Sequence, residues 1–259
     1  MGHIRLGELP RTKKWRDVVA LIGEGTATPQ EMVLAINKVA DDRLRALEGD
    51  RALSYLYWLL TRVTWLARTK TFLADLQAEG VRLPGQVSGL SFLGQLGEMA
   101  ARQVRRRCTP SVFSELAVRS FKETVGKAIH DRANTLFGTT PEDVRHAFKE
   151  ISTPREFSRV ARDFFGGYLV GFFEFVISKE STVHVGWTRG FRDAAALAEF
   201  EQSLRAYCHQ VTGILEDFSG EWYSKHNWLG DINEQQAQRF VAYAITKIRS
   251  ELGREVGQE

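Results

Sequence analysis

Apolar residues recur every three or four positions along most of the chain, and this spacing predicts helices. The clearest stripe lies in the segment that begins at Pro154, and its members are Phe157, Val160, Ala161, Phe164, Phe165, Tyr168, Leu169, Phe172, Phe175 and Val176. Alternation with a period of two is almost absent, since residues 182–185 are the single candidate and are too short to build a sheet. The sequence therefore predicts an all-α fold, an irregular bundle of eight to ten helices.

Several helix starts share one signature, in which a threonine that can cap free amides precedes a proline at the first helical position. These starts stand at Thr28, Thr140 and Thr153. Asn233 with Gln236 resembles a capping box, and Thr109-Pro110 is expected to open another helix. The apolar segment from residue 50 to residue 80 predicts one long helix or two abutting ones. We expect a single domain spanning residues 1–259, with any subdivision near residues 81–90, where proline and glycine concentrate.

Charge and cysteine content exclude several classes of protein. The chain has 35 Lys and Arg against 32 Asp and Glu, and its net charge of +3 is too small to indicate nucleic-acid binding by itself. Cys108 and Cys208 lack any metal-ligand spacing, so neither a metal, a cofactor nor a disulfide framework is expected. The first residues do not form a secretory signal, which predicts a cytoplasmic protein.

A continuous apolar segment, residues 164–177, has two interpretations. It contains Gly167 and Gly171, four positions apart as in close-packed membrane helices. However, it is 14 residues long and includes Glu174, whereas a bilayer span needs about 20 apolar residues. We therefore expect a buried core helix whose glycines admit a second helix, without a membrane span; insertion into a membrane after a trigger is the alternative.

Two aromatic segments are candidate binding sites for a partner. Residues 219–231 are predicted to form an ordered loop that either caps the bundle or contacts a partner. Its candidate residues are Trp222, Tyr223, Lys225, His226, Asn227 and Trp228. A second loop, residues 181–192, contributes His184, Trp187 and Arg189. A straight helix between the two loops would place them roughly 35–40 Å apart, so they are not expected to form one site.

Basic residues gather in two places. Arg102, Arg105 and Arg106 share one face of a predicted helix, and Lys13 and Lys14 lie near the N-terminus. An arginine stripe can bind phosphates of a nucleic acid. Arginine is also favoured near a helix C-terminus by the helix dipole, so a solvated face or a protein-binding edge is the alternative.

Catalytic templates are missing from the sequence: there is no P-loop, GxGxxG, GxSxG or HExxH motif. Arg205 and His209 resemble the arginine-histidine motif of helical HEPN ribonucleases. Three residues separate them here, whereas that family usually has four to six. The sequence therefore favours a protein without enzymatic activity, with an HEPN-like ribonuclease as an alternative.

Three segments carry a resemblance to a group of helical bacterial proteins: GHIRLGELPRTKKW near the start, HVG at residues 184–186 and WYSKHNW at residues 222–228. The resemblance implies a multi-gene cluster of the anti-phage defence type and assigns no residue role. Our first hypothesis is an adaptor subunit that binds other proteins in a bacterial assembly. The alternatives are a nucleic-acid-binding protein that uses the arginine stripe and the HEPN-like ribonuclease.

Overall fold

A computed structural model describes residues 29–82, 89–132, 140–183 and 194–254. Ten α-helices occupy these ranges, and no strand occurs within them. The helices are α1 (Pro29–Ala46), α2 (Arg51–Leu66), α3 (Phe72–Ala78), α4 (Gly89–Arg107), α5 (Val112–His130), α6 (Pro141–Ile151), α7 (Pro154–Val183), α8 (Ala194–Val211), α9 (Glu216–Leu229) and α10 (Glu234–Arg254). Short 3₁₀ turns precede α2 and α9. The prediction of an all-α multi-helix bundle is confirmed.

Most of the predicted helix starts are present. At the start of α6 the Asp143 amide donates to Thr140 Oγ1 at 3.2 Å, and the Thr140 amide donates to Asp143 Oδ2 at 2.7 Å, which closes a capping box. Thr153 and Asn233 each accept from the amide three residues later. Thr28 lies outside the described residues. Side-chain caps therefore fix where α6, α7 and α10 begin.

Two boundaries differ from or sharpen the predictions. The long apolar segment resolves into two helices, α2 and α3, and ends on Gly80, whose φ of +99° suits a glycine after a helix. The predicted start at Thr109-Pro110 is wrong by a few residues. Ser111 is the cap there, since its hydroxyl accepts from the Ser114 amide at 3.1 Å and α5 begins at Val112.

Helix α7 is the spine of the bundle, because it packs against α5, α8 and α9. Its glycines make the approach of α5 close. A Cβ atom at Gly167 would lie 3.1 Å from Ser120 Oγ, and one at Gly171 would lie 2.9 Å from Leu116 Cδ2. The two glycines thus serve helix packing, as expected for a core helix. Among the described helices, none is both long enough and apolar enough to cross a bilayer.

The core is one hydrophobic cluster that runs from Leu44 to Leu252. Its aromatic centre is Tyr57 of α2, whose ring stacks on Phe240 of α10 with a centroid distance of 4.7 Å. Four other rings surround Tyr57, those of Phe157, Phe164, Phe165 and Trp222. Helices α2, α7, α9 and α10 therefore meet around one tyrosine. Residues 83–88 lie outside the described part, and the single-domain interpretation stays a prediction.

Candidate functional site

Helix α9 occupies most of the segment that was predicted to be a loop. It continues to Leu229, so the prediction of a loop over residues 219–231 is wrong except at its end. The physical reason is that the buried residues of this helix include Ser219, Gly220 and His226, so its helical spacing is not marked by a stripe of apolar side chains. A Cβ atom at Gly220 would lie 2.5 Å from the carbonyl oxygen of Pro154, so glycine is needed where the helix crosses the start of α7.

One face of α9 is part of the core. The Tyr223 ring stacks on Phe157 at a centroid distance of 4.2 Å, and burial raises the pKa of its hydroxyl to about 12, although nearby Arg68 lowers it in part. Trp222 is partly buried, with its ring 4.8 Å from that of Phe240. His226 is buried as well. Three of the predicted partner-binding residues therefore pack inside the protein.

The end of α9 is held in a fixed geometry. His226 Nδ1 lies 2.7 Å from Asp231 Oδ1, and the Asp231 amide donates to the His226 carbonyl at 3.2 Å. Gly230 has a φ of +65°, and its amide donates to the carbonyl of half-buried Asn227 at 3.3 Å. This left-handed cap satisfies carbonyl groups that the last turn leaves open. The helix therefore stops at a defined point.

Two large apolar side chains project from that end into solvent. Trp228 is 89% exposed and Leu229 is 58% exposed, and exposed Lys225 lies one turn earlier on the same helix. An indole in water exposes a large apolar surface that the fold does not use. We call Trp228 and Leu229 the α9 tip. The tip is the part of the predicted aromatic site that remains available for binding.

Most of the second predicted aromatic segment, residues 184–192, lies outside the described part of the chain. His184, Trp187 and Arg189 lie outside the described residues, and their role in binding stays a prediction. The helix that was expected to separate the segments, residues 193–218, is divided here, because α8 ends at Val211 and a 3₁₀ turn precedes α9. A separation derived from one straight helix therefore does not apply to this chain.

The arginine stripe on α4 divides into two parts. Arg102 donates to the Gly80 carbonyl at 3.1 Å, which fastens α4 to the turn after α3. Arg105 and Arg106 are exposed and form no ion pair within the described ranges. The next residue, Arg107, donates to Glu234 at 2.6 Å and lies over the Tyr55 ring. Among the described residues of the stripe, Arg105 and Arg106 are thus the two whose guanidinium groups are exposed and without an ion pair, as phosphate binding requires. Lys13 and Lys14 lie outside the described part.

Arg205 and His209, the residues of the ribonuclease alternative, contact two different carboxylates of α7. Arg205 Nη2 lies 2.9 Å from Glu174 Oε1, and His209 Nε2 lies 3.2 Å from Asp163 Oδ1. The carboxylates are eleven residues apart, about 16 Å along a helix. Arg205 and His209 thus each hold α8 against α7, and this geometry adds no support to their acting together on a substrate.

Both carboxylates also lie beside a basic side chain of α5. Lys127 Nζ lies 2.8 Å from Asp163 Oδ2, and Arg119 Nη1 lies 3.8 Å from Glu174 Oε2. Each α7 carboxylate is therefore shared by one basic side chain of α5 and one of α8. We call these two arrangements the ion clamps.

A cleft of about 540 Å³ opens beside the first ion clamp. It lies between the end of α5, the first half of α7, the end of α8 and the start of α9. Glu156 accepts from Arg132 Nη2 and from Arg159 Nη1, both at 2.7 Å. Arg162 donates to the His209 carbonyl and to Glu216. The cleft is thus built from charged groups that four helices bring together.

Of the residues that line this cleft, only His209 was a candidate functional residue in the sequence. Glu156 and Arg159 are three positions apart on α7, a spacing that allows an ion pair and that could have drawn attention to them. The contribution of Lys127 and Arg132 from α5 could not be read, since it depends on how the helices pack. Within the described residues, no group of three His, Cys, Asp or Glu side chains could hold a metal ion.

Comparisons with protein-family models, with curated proteins and with solved structures gave no match to this chain. Its function must therefore be inferred from its own residues, chiefly the α9 tip, the two free arginines of α4 and the charged cleft.

Proposed function

We propose that this chain is a non-enzymatic adaptor subunit that binds another protein through the α9 tip. The observation that carries the proposal is the 89% exposure of Trp228 at the end of a helix whose other face is buried. Tryptophan is among the residues most enriched at the energetic centres of protein interfaces. Leu229 extends the apolar surface, so the fitting partner has an apolar pocket.

The rigidity of the tip favours binding. The left-handed cap at Gly230 and the contact between His226 and Asp231 fix the backbone that presents Trp228. A backbone that is already fixed does not have to be ordered when Trp228 enters a pocket, which lowers the entropy lost on binding. Burial of a tryptophan at the centre of an interface commonly contributes about 2–4 kcal/mol, which is roughly a 30- to 1,000-fold change in affinity.

The wider setting of the proposal is a bacterial multi-protein assembly of the anti-phage defence type. Its support is the sequence resemblance of residues 222–228 and of the two other segments to proteins of such clusters. Trp228 of the α9 tip is the last residue of the segment 222–228. The partner we propose is therefore a protein encoded beside this chain.

Co-purification with the products of neighbouring genes tests the proposal. The full chain with Trp228→Ala should lose at least about 30-fold in affinity for the partner that the unmodified chain captures. Tyr243→Ala is the matched control, because Tyr243 is an exposed aromatic residue that contacts Phe218, ten residues before Trp228 on α9, and it should bind as the unmodified chain does. Equal binding by both variants, or capture of none of the neighbouring proteins, contradicts the proposal.

Arg105 and Arg106, which form no ion pair with the described residues, favour a second candidate function, nucleic-acid binding. Two phosphate contacts release counterions, so replacing both arginines by alanine should lower the salt dependence of binding by about two in the log-log slope. Arg102→Ala is the control, since Arg102 is occupied by the Gly80 carbonyl. An unchanged slope in the double variant would reject this role. The HEPN-like ribonuclease stays the third alternative, without a favouring observation.

A further inference from the structure

We propose that the charged cleft between α5, α7, α8 and α9 binds the phosphate group of a small phosphorylated molecule. The first support is the charge around Glu156. This single carboxylate accepts hydrogen bonds from two guanidinium groups, those of Arg132 and Arg159, at 2.7 Å each. Two guanidinium groups thus converge on one carboxylate inside a concave surface, and each keeps N–H groups beyond those directed at Glu156.

The second support is that Arg132 is fixed in place rather than free in solvent. Its side chain is only 16% exposed, and its guanidinium also donates to the Ala128 carbonyl at 3.0 Å. A guanidinium that is held by a carboxylate and a carbonyl presents its other N–H groups in a constant direction. The planar fork of a guanidinium matches two phosphate oxygens, and a side chain that is already held in place loses less conformational entropy when a ligand binds.

Two exposed basic side chains lie at the rim of the same cleft. Arg159 is 48% exposed and meets Glu156 through Nη1, so its Nε and Nη2 groups can donate to a ligand. Lys127 is 57% exposed, and its ammonium group keeps two hydrogens beyond the one directed at Asp163. A phosphate between these two side chains would meet donors from both α5 and α7.

The remaining charges of the cleft favour a small ligand over a nucleic-acid strand. Asp131, Asp163 and Glu216 also line the walls and, with Glu156, equal the four lysine and arginine side chains in number. A chain of phosphates would be repelled by these carboxylates, whereas one phosphate can lie at the cationic edge. A volume of about 540 Å³ falls in the range of small-molecule sites.

His209 can add specificity beside Lys127, because both side chains contact the Asp163 carboxylate. Its Nε2 is directed at Asp163, and its imidazole is 49% exposed, so Nδ1 can exchange a hydrogen bond with a ligand hydroxyl. The ligand that fits this arrangement has a phosphate with hydroxyl groups near it, as in a sugar phosphate or a mononucleotide.

Calorimetry and thermal unfolding of the full chain test this inference, with inorganic phosphate, adenosine 5′-monophosphate and a single-stranded oligonucleotide as separate probes at constant ionic strength. Arg159→Gln should weaken binding of both small probes at least about tenfold, since a charged hydrogen-bonding pair is lost. Arg155→Gln is the matched control, because Arg155 is exposed one turn earlier on α7 and does not line the cleft.

The expected result is that the unmodified chain and Arg155→Gln bind the small probes equally, with the mononucleotide bound more tightly than inorganic phosphate. Equal affinity in Arg159→Gln and Arg155→Gln would overturn the proposal, as would no binding at about 10 mM of either small probe. Tighter binding of the oligonucleotide would assign the cleft to nucleic acid instead. Trp228→Ala should bind phosphate normally, so the result does not depend on the adaptor role.

Discussion

Trp222 and Trp228 belong to the same helix and are six residues apart, yet they lie in opposite environments. Trp222 packs its ring against Tyr57 and Phe240, whereas Trp228 is 89% exposed. Six residues rotate a helix by about 240°, so the two side chains point to different faces. The fold packs the first tryptophan into the core and leaves the second in solvent, and the proposed partner site is therefore built on Trp228.

The largest effect should come from the residue that lets α9 join the core. Gly220→Ala would place a Cβ atom 2.5 Å from the Pro154 carbonyl oxygen, a backbone group that cannot yield easily. We expect a loss of about 3 kcal/mol or more in the free energy of unfolding, measured by urea denaturation. Gly230→Ala is the comparison, since it meets only the strain of a positive φ, about 1 kcal/mol. A mild Gly220→Ala would mean that α9 is not anchored at this crossing.

Alanine at the two tryptophans tests the comparison itself. Trp222→Ala removes a ring from the aromatic centre and should cost roughly 2–4 kcal/mol of stability. Trp228→Ala should change the free energy of unfolding by less than about 0.5 kcal/mol, because its ring lies in solvent. Chemical denaturation of both variants decides the matter. Equal destabilisation would show that the α9 tip belongs to the core.

The buried face of α9 should also respond to alkaline pH. Burial raises the pKa of Tyr223 from its usual 10.0 to about 12, so the folded state favours the protonated hydroxyl. The resulting stabilisation is complete below about pH 10 and is lost as the pH rises towards 12. Denaturation across this range should show a steeper decline for the unmodified chain than for Tyr223→Phe. Identical pH profiles would mean that Tyr223 is not buried.

A small effect of opposite sign is expected beneath Trp222. The Tyr57 hydroxyl is fully buried and has no hydrogen-bond partner within the described part of the chain. Because an unsatisfied buried hydroxyl is unfavourable, Tyr57→Phe should keep the stability or raise it by up to about 1 kcal/mol. A clear loss in thermal unfolding would reveal a partner for this hydroxyl. Tyr57→Ala should by contrast be strongly destabilising, which separates the ring from its hydroxyl.

The sequence was informative about features that depend on a single helix. Periodic apolar positions and caps at Thr140, Thr153 and Asn233 correctly indicated helices and their starts. It was misleading over residues 219–229, since the buried residues of α9 include Ser219, Gly220 and His226 and do not form an apolar stripe. The charged cleft was not predictable, because Glu156 meets Arg132 only after α5 and α7 have packed. Trp228 was identified as a candidate, but its exposure needed the structure.

The ion clamps concentrate mutational sensitivity in two acidic positions. Replacement of Arg119 or Arg205 leaves Glu174 with its other cation, so sequence drift at either position can be absorbed. Replacement of Glu174 itself removes both ion pairs at the same time, while the apolar packing of α5 and α8 on α7 remains. The same holds for Asp163, which serves Lys127 and His209. A substitution on α5 or α8 thus removes one contact of an ion clamp, whereas a substitution of the shared carboxylate on α7 removes both.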